Sequence, residues 1–375
     1  MGVLARVEMV DENNVLVRLE KPMRSMATTV WGGGMKEKLR IVLFRRVDEK
    51  FDCREPSSYA GEVIHELGLP MMTTAVFLTA YDVTKIVSAT AYHEGVTAEA
   101  YMTVGLSRHP SCIEHEDITS KTMVGGTINL LVLVDKALAW RGMIDVFRLA
   151  CETKASLVTS MGYSCPGSPA FGTVSDALLV AAYHGNELYA GAATRVGVAV
   201  IKAVAQAFEK HVRENMGLDE YLEHLLGGLS KDYLVDVAVK AYKKAPVPGV
   251  GERSFRRMFR EELDRALEDP NVLMMIKAMR LIDVTAPYTK GVSREALAAD
   301  STGIIADELL GYALSNYING FKGLLSYYWL ERLKGKGELK EVGSLPVFTD
   351  DLITSLVGSV MSRVYDRLLG GGKKS

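Results

Sequence analysis

The hydrophobic and polar positions follow one pattern in the first half of the chain and another in the second. The first half carries short β-branched runs, as in VLVRLEK (15–21) and LRIVLFRRV (39–47). Two further runs, TINLLVLVD (127–135) and DALLVAAYH (176–184), are almost wholly apolar and predict buried strands. Residues 141–159 repeat apolar positions at helical spacing. The residues predicted to share one face of that helix are Ile144, Phe147, Ala150 and Leu157.

After about residue 197 the strand patterns give way to long helical ones, such as VAVIKAVAQAFEKHVREN (198–215) and FRRMFREELDRALED (255–269). Alternating strands and helices followed by helices alone predict an α/β domain of mixed type and then an all-α domain. The predicted boundaries are 1–212 for the N-terminal domain, 213–370 for the C-terminal domain and 371–375 for a disordered tail.

The overall composition excludes some classes of protein. The chain has 375 residues, and its 44 Lys and Arg against 46 Asp and Glu argue against a nucleic-acid-binding protein. Its four cysteines show no CxxC spacing and are interpreted as thiols of a reducing compartment. No signal peptide is evident and no run of 18 apolar residues occurs, so a cytoplasmic protein without a transmembrane segment is expected. Composition leaves the oligomeric state open, a homo-oligomer included.

Two acidic pairs, Asp307–Glu308 and Asp350–Asp351, lie inside apolar segments of helical length. Burying four carboxylates is costly unless positive charge neutralises them, and hard oxygen ligands suit Mg²⁺. The second pair has an alternative interpretation, because Thr349 is a good N-cap and acids in a first helical turn gain from the helix dipole. The pairs together predict a magnesium site.

Basic residues lie between the two acidic pairs. Lys322, Arg332, Lys334 and Lys336 form a basic cluster that is either a solvated loop or a phosphate-binding group, with Arg332 and Lys334 the candidates for binding phosphate. Acids for a metal and bases for phosphate are what metal-assisted phosphoryl transfer requires. Gly311, four residues after Asp307, is expected to leave room for a ligand.

The first half has small polar clusters where predicted strands and helices begin or end. One contains Thr127 and Asn129, another Glu152 and Lys154, and a third contains Thr173, Ser175 and Asp176. Each also has a plain structural explanation, as a tight turn or a solvated helix face. Such clusters are nevertheless how α/β domains assemble sites. The run Gly32–Gly33–Gly34 is a turn or a loop of close backbone approach.

Seven ordered segments of the N-terminal half resemble adenosylcobinamide amidohydrolases of the CbiZ type. They are PMRSMATTVWGGG, GLPMMTTA, TVGLS, GTINLLVLVD, ETKA, FGTVSDA and YAGAATRVG. The resemblance implies cleavage of the amide between aminopropanol and the corrin ring, giving adenosylcobyric acid, with no cofactor expected.

That activity needs a base, an oxyanion stabiliser and a nucleophile. The candidates for the base are Asp176 and Glu152, and Ser175 is the best-placed nucleophile. The residues expected to orient the amide or its oxyanion are Lys154, Asn129, Thr127 and Thr173. Those expected to line the corrin groove are Gly33, Gly34, Met71 and Met72, although core filling is the alternative for the methionines.

Residues 216–370 resemble the phosphatidylglycerophosphatase A-like family, in particular its α-ribazole phosphatase branch. The similarity rests on the DELLG motif at 307–311 and on the aspartate pair of FTDDLITSLVGSV. It implies an all-helical, Mg²⁺-dependent phosphatase. The metal ligands it implies are Asp307, Glu308, Asp350 and Asp351, the last two also catalytic, with Arg332 and Lys334 on the phosphate.

Both activities belong to one pathway, and fusions of the CbiS type have this domain order. The two resemblances therefore imply a bifunctional cobamide-salvage enzyme with two small-molecule substrates, adenosylcobinamide and α-ribazole 5′-phosphate, the latter dephosphorylated by water attack. Two alternatives stay open. One is a phosphatidylglycerophosphate-type phosphatase, and the other is a corrinoid-binding protein with a degenerate amidohydrolase site.

Overall fold

The chain divides into two compact units. The computed structural model describes residues 3–48, 51, 54–106, 110–113, 127–165, 168–299 and 303–370. The first unit contains the described residues up to Ser160 together with Ala170–Gly217, and the second contains those of Met161–Pro169 and those from Leu218 onward. The first combines sheet and helices and the second is helical, which confirms the predicted fold class.

A mixed sheet dominates the first unit. In the order β4–β3–β2–β11–β8–β6–β5, with β1 added to β2, the pairs β3/β4 and β8/β11 are parallel and the others antiparallel. The strands are β1 (Ala5–Asp11), β2 (Asn14–Ala27), β3 (Gly34–Arg46), β4 (Thr74–Thr79), β5 (Val87–His93), β6 (Val96–Val104), β7 (Pro110–Cys112), β8 (Ile128–Leu138), β9 (Ser164–Cys165), β10 (Ser168–Thr173) and β11 (Ala177–His184). The short strand β7 pairs with the end of β10, and β9 pairs with its beginning.

Helices cover one face of this sheet. They are α1 (Pro56–Glu66), α2 (Trp140–Ser160) and α3 (Arg195–Glu214), with α1 packed on β2–β4 and the other two on β5, β6, β8 and β11. The side chains on both faces of β8 are buried from Ile128 to Val134, which explains the continuous apolar run of this strand. Of the four residues predicted to share a face of α2, Ala150 is buried, Phe147 and Leu157 are partly buried and Ile144 is exposed, while Met143 and Val146 are buried.

The second unit is a helical bundle around one central helix. Its helices are α4 (Leu218–Leu225), α5 (Lys231–Tyr242), α6 (Glu252–Leu267), α7 (Pro270–Thr285), α8 (Arg294–Ala298), α9 (Ala306–Gly335) and α10 (Val347–Gly370). Every residue from 348 to 362 of α10 is buried, and α5, α6, α7 and α9 pack around it. The hydroxyls of Thr354, Ser355 and Ser359 therefore bond to carbonyls of the preceding turn.

Glycines set how α9 meets α10. A Cβ built on Gly358 would lie 2.8 Å from Tyr327 N, so only glycine permits this approach. Helix α9 is interrupted at Asn319 and Gly320, whose φ is +56°. The carbonyl of Ile318, freed by the interruption, accepts from Arg363 Nε at 3.0 Å.

Two sequence-based expectations need correction. Thr349 lies inside α10, which begins at Val347, and is therefore not its N-cap. Cys112 and Cys165 are each disulfide-bonded and Cys151 is a free thiol, so the prediction of thiols alone was wrong; Cys53 lies outside the described residues. Among the helices that the structure describes, none combines the length and apolar character needed to span a bilayer.

Candidate functional site

A buried ion pair lies where α2 passes the start of β11. Parallel pairing of β8 with β11 places Asn129 beside Ala177 and so brings Asp176 next to Ile128. Ile128 N donates to Asp176 Oδ1 at 3.0 Å, and Thr173 Oγ1 donates to the same oxygen at 2.5 Å. Lys154 Nζ from α2 donates to Asp176 Oδ2. We call Lys154, Thr173 and Asp176 the triplet.

The triplet is largely buried and is not a surface contact. The side chains of Lys154 and Asp176 are only 16% and 13% exposed, so their attraction is weakly screened. Gly172 makes the space, because a Cβ there would overlap Asp176 Oδ2 and lie 2.6 Å from Lys154 Nζ. Among the described residues, Asp176 Oδ1 accepts two hydrogen bonds, whereas Oδ2 accepts one, from Lys154, and keeps a lone pair.

Two further predicted hydroxyls lie together beside the triplet. Thr127 Oγ1 and Ser175 Oγ are 2.8 Å apart. Asn129 Nδ2 donates to Leu78 O at 3.2 Å, while its fully buried Oδ1 has no hydrogen-bond partner among the described residues. Thr103 pairs with Asn129 across β6 and β8, and its buried Oγ1 also lacks a partner there. Sequence reasoning overlooked Thr103, whose segment TVGLS had been noted only as a motif.

Other predicted residues lie elsewhere in the first unit. Glu152 is exposed and bonds to Arg148 at 2.7 Å, one turn earlier on α2, so the structure does not bring it to the triplet. Gly33 lies in the β2–β3 loop, where a Cβ would be 2.5 Å from Thr29 O, and Gly34 starts β3 with φ of +78°. The close-approach interpretation of this run is thereby confirmed for Gly33.

Met71 and Met72 are exposed, so core filling was wrong for both. They lie near the glycine run, since Trp31 Nε1 and Lys36 Nζ donate to their carbonyl oxygens at 3.2 and 3.3 Å.

A second group of ionisable side chains lies between α9 and α10. Lys334 Nζ is 2.7 Å from Glu331 Oε2, 3.1 Å from Asp350 Oδ2 and 3.0 Å from Asp351 Oδ1. With Asp307, these residues form what we call the carboxylate cluster. All are largely buried. Three carboxylates thus contact one ammonium group.

Burial and neighbouring negative charges raise the pKa values of carboxyl groups in this cluster. Burial, joined by the charge of Asp351, raises the pKa of Asp307 to about 6. Burial also raises the pKa of Asp350 to about 8, although the charge of Lys334 acts in the opposite direction. Asp307 Oδ1, Glu331 Oε1 and Asp351 Oδ2 are buried oxygens without a hydrogen-bond partner in the part of the chain that the structure describes.

This cluster differs from the predicted site in its membership. Glu308 and Arg332 are exposed, and Lys334 bonds to the acids. Gly311 does not leave open space, because a Cβ there would be 2.9 Å from Tyr327 Oη. Glu331 is a member that sequence reasoning overlooked; its position one turn before Lys334 was the available signal.

A divalent cation fits the chemistry of the donors. Three carboxylate oxygens need a positive partner, and hard oxygen ligands suit Mg²⁺. No three Asp, Glu, His or Cys of the described residues already surround one point in coordinating geometry. The Lys334 ammonium lies within 3.1 Å of Glu331, Asp350 and Asp351. An ion binding there would compete with Lys334.

A buried ion pair supports the first turn of α10. Arg280 Nη1 lies 3.1 Å from Asp283 Oδ2, and Asp283 Oδ1 accepts from Phe348 N at 2.9 Å. Thr349 Oγ1 accepts from Arg280 at 2.6 Å and donates to Asp283. These bonds hold the turn that carries Asp350. They could not be predicted from the sequence, because α7 and α10 are far apart in the chain.

Among curated proteins, none matches the chain. Matching solved structures include the low temperature requirement C protein from Listeria monocytogenes (18% identity, 40% of this chain and 94% of that one, TM-score 0.32). Another is the PH0078 protein from Pyrococcus horikoshii OT3 (10% identity, 56% and 83%, TM-score 0.32). Structural similarity at this level supports no functional conclusion.

The family model described as adenosylcobinamide amidohydrolase, CbiZ, matches residues 2–220. These residues include the whole triplet and more than half of the chain. The chain therefore belongs to the adenosylcobinamide amidohydrolase family.

Proposed function

We propose that the first unit hydrolyses the amide joining aminopropanol to the corrin ring of adenosylcobinamide, and that the triplet performs the reaction. Family membership supports the substrate, and the buried Lys154–Asp176 pair is the observation that supports the site. The products would be adenosylcobyric acid and aminopropanol.

Asp176 is the general base in this proposal. Thr173 and the Ile128 amide hold Oδ1, which leaves the free lone pair of Oδ2 to take a proton from the attacking water. Lys154 stabilises the oxyanion that forms when water adds to the carbonyl carbon. The C–N bond then breaks, and the proton on Asp176 passes to the departing nitrogen. Ser175 stays available for a covalent variant of this route.

We also propose that the second unit removes phosphate from α-ribazole 5′-phosphate, using Mg²⁺. The sequence resemblance and the carboxylate cluster support this assignment. Asp307, Asp350 and Asp351 would hold the ion, which when bound supplies Lewis-acid polarisation and a water of lowered pKa. Lys334, released from the carboxylates, would place its ammonium group on the phosphate oxygens, a role that exposed Arg332 would share.

A two-substrate assay with matched variants tests both proposals. Adenosylcobinamide conversion is followed by chromatography and α-ribazole 5′-phosphate by phosphate release, each with and without EDTA. We expect Asp176→Asn to abolish only amide hydrolysis, and Asp307→Asn and EDTA to abolish only phosphate release. Binding of adenosylcobinamide without turnover would contradict the first proposal. Phosphate release that resists EDTA would contradict the second.

A further inference from the structure

A cavity of the first unit lies beside the carboxyl ends of β8 and β11. Its volume is about 480 Å³, and the residues that line it include Lys136, Glu187, Leu188, Tyr189 and Arg195. The strands β8 and β11 are parallel, and α/β sheets commonly bind their ligands at the carboxyl ends of parallel strands. The volume is also within the range of small-molecule sites.

This cavity is separate from the triplet. Asp176 is bonded to Ile128 at the start of β8, whereas Glu187 pairs with Leu138 at the end of that strand. Ten residues of β8 separate the two places, which at the usual rise per residue is roughly 30 Å. A ligand in the cavity is therefore not held at the reacting atoms of the amide.

The loop after β11 carries exposed side chains on a firmly held backbone. Glu187 N donates to Ala137 O at 3.2 Å, and Ala139 N donates to Glu187 O at 2.9 Å. Further along the loop, Gly191 O accepts from the backbone N and the Oγ1 of Thr194 at 2.9 and 2.8 Å. Loops positioned by a rigid scaffold in this way are where binding residues commonly lie.

Positive charge predominates around the cavity. The cations are Lys136, Arg141 and Arg195 and the acid is Glu187, and among the described residues none of the four has an ion-pair partner. The Arg141 guanidinium instead lies over the Tyr189 ring, 4.5 Å from its centroid. Tyr189 is nevertheless 57% exposed, so its ring keeps surface for a ligand. Three cations against one acid favour a ligand with negative charge.

We infer that this cavity binds a nucleoside phosphate. Each part of such a ligand meets a side chain of matching chemistry: Arg195 and Lys136 suit the phosphate oxygens. The Tyr189 ring suits stacking on the base. The Glu187 carboxylate is an acceptor for the ribose hydroxyls. A simple anion would use the cations alone, and the presence of the other two side chains favours the nucleotide.

Isothermal titration calorimetry of the full chain with AMP tests the inference. EDTA is present throughout, so that the proposed phosphatase does not consume the probe. We expect AMP to bind, and Arg195→Gln and Lys136→Gln each to weaken binding roughly tenfold, because each removes a charge-assisted hydrogen bond to phosphate. Lys202→Gln removes another exposed cation of α3 and is the matched control, which should leave the affinity unchanged.

Further probes test the nucleoside part of the ligand. Tyr189→Ala should weaken AMP binding roughly tenfold and Tyr189→Phe should preserve it, because stacking needs only the ring. Adenosine and inorganic phosphate should each bind more weakly than AMP. Inorganic phosphate that binds as tightly as AMP would overturn the nucleoside assignment. Absence of AMP binding at millimolar concentration, or an affinity unchanged in Arg195→Gln and Lys136→Gln, would overturn the site.

Discussion

Lys334 Nζ lies 3.0 Å from Asp351 Oδ1, where the lysine provides the positive charge that the buried carboxylates need. This arrangement makes Lys334 a competitor for any cation that the carboxylate cluster binds. The same residue was predicted from sequence as a phosphate ligand, and the two roles are compatible if ion binding releases the side chain.

Lys334→Met should separate these effects. Removing one partner of a buried ion group leaves charge uncompensated, so the free energy of unfolding in EDTA should fall by about 3–5 kcal/mol. Added Mg²⁺ should restore much of this loss, and its dissociation constant should be lower than in the wild type. Urea denaturation with and without Mg²⁺ measures both quantities. An unchanged stability in EDTA would contradict the charge argument.

Stabilisation by Mg²⁺ should depend on pH. The pKa values of Asp307 and Asp350 are raised to about 6 and about 8, so both carboxyls bind protons more tightly in the folded chain than in the unfolded one. Without metal, their contribution to stability is present below pH 3.8 and is lost as the pH rises through those values. Mg²⁺ needs the ionised forms, so its effect on Tm should be small at pH 5 and large at pH 8. Asp307→Asn should flatten that dependence. An equal Tm shift of the wild-type protein at both pH values would refute the predicted pH dependence.

The two candidate bases can be distinguished directly. Asp176→Asn removes the negative charge that makes this carboxylate of the triplet a base, so kcat for adenosylcobinamide should fall at least ~10²-fold. Glu152→Gln changes an exposed side chain bonded to Arg148 and should retain most activity. If Glu152→Gln were the more damaging change, the assignment of the base would be reversed.

Gly172→Ala tests the space that the triplet needs. The added methyl would overlap Asp176 Oδ2 and push it from Lys154, so amide hydrolysis should fall sharply and stability by about 1–3 kcal/mol. Gly217→Ala is the control, because nothing lies within 4 Å of a Cβ there. Phosphate release should be unaffected by either change. Full amidohydrolase activity in Gly172→Ala would show that the triplet tolerates displacement.

Several features of the site followed from sequence, and others did not. Thr173, Ser175 and Asp176 are neighbours in the chain, and an apolar run next to them indicated a strand end. The partnership of Asp176 with Lys154 could not be predicted, because it depends on how α2 crosses β11. The separation of Glu152 from Lys154, by contrast, followed from sequence, since residues two apart on a helix point in different directions.

The sequence by itself determined the fold class, because hydrophobic periodicity changes from strand-like to helical between the two halves. It also located both acidic pairs and, through ordered motifs, the family. Only the tertiary structure decided which ionisable groups meet. Glu308 faces solvent and Glu331 joins the carboxylate cluster because the packing of α9 on α10 selects one side of α9. Such selection depends on side-chain contacts across helices, which no local sequence pattern records.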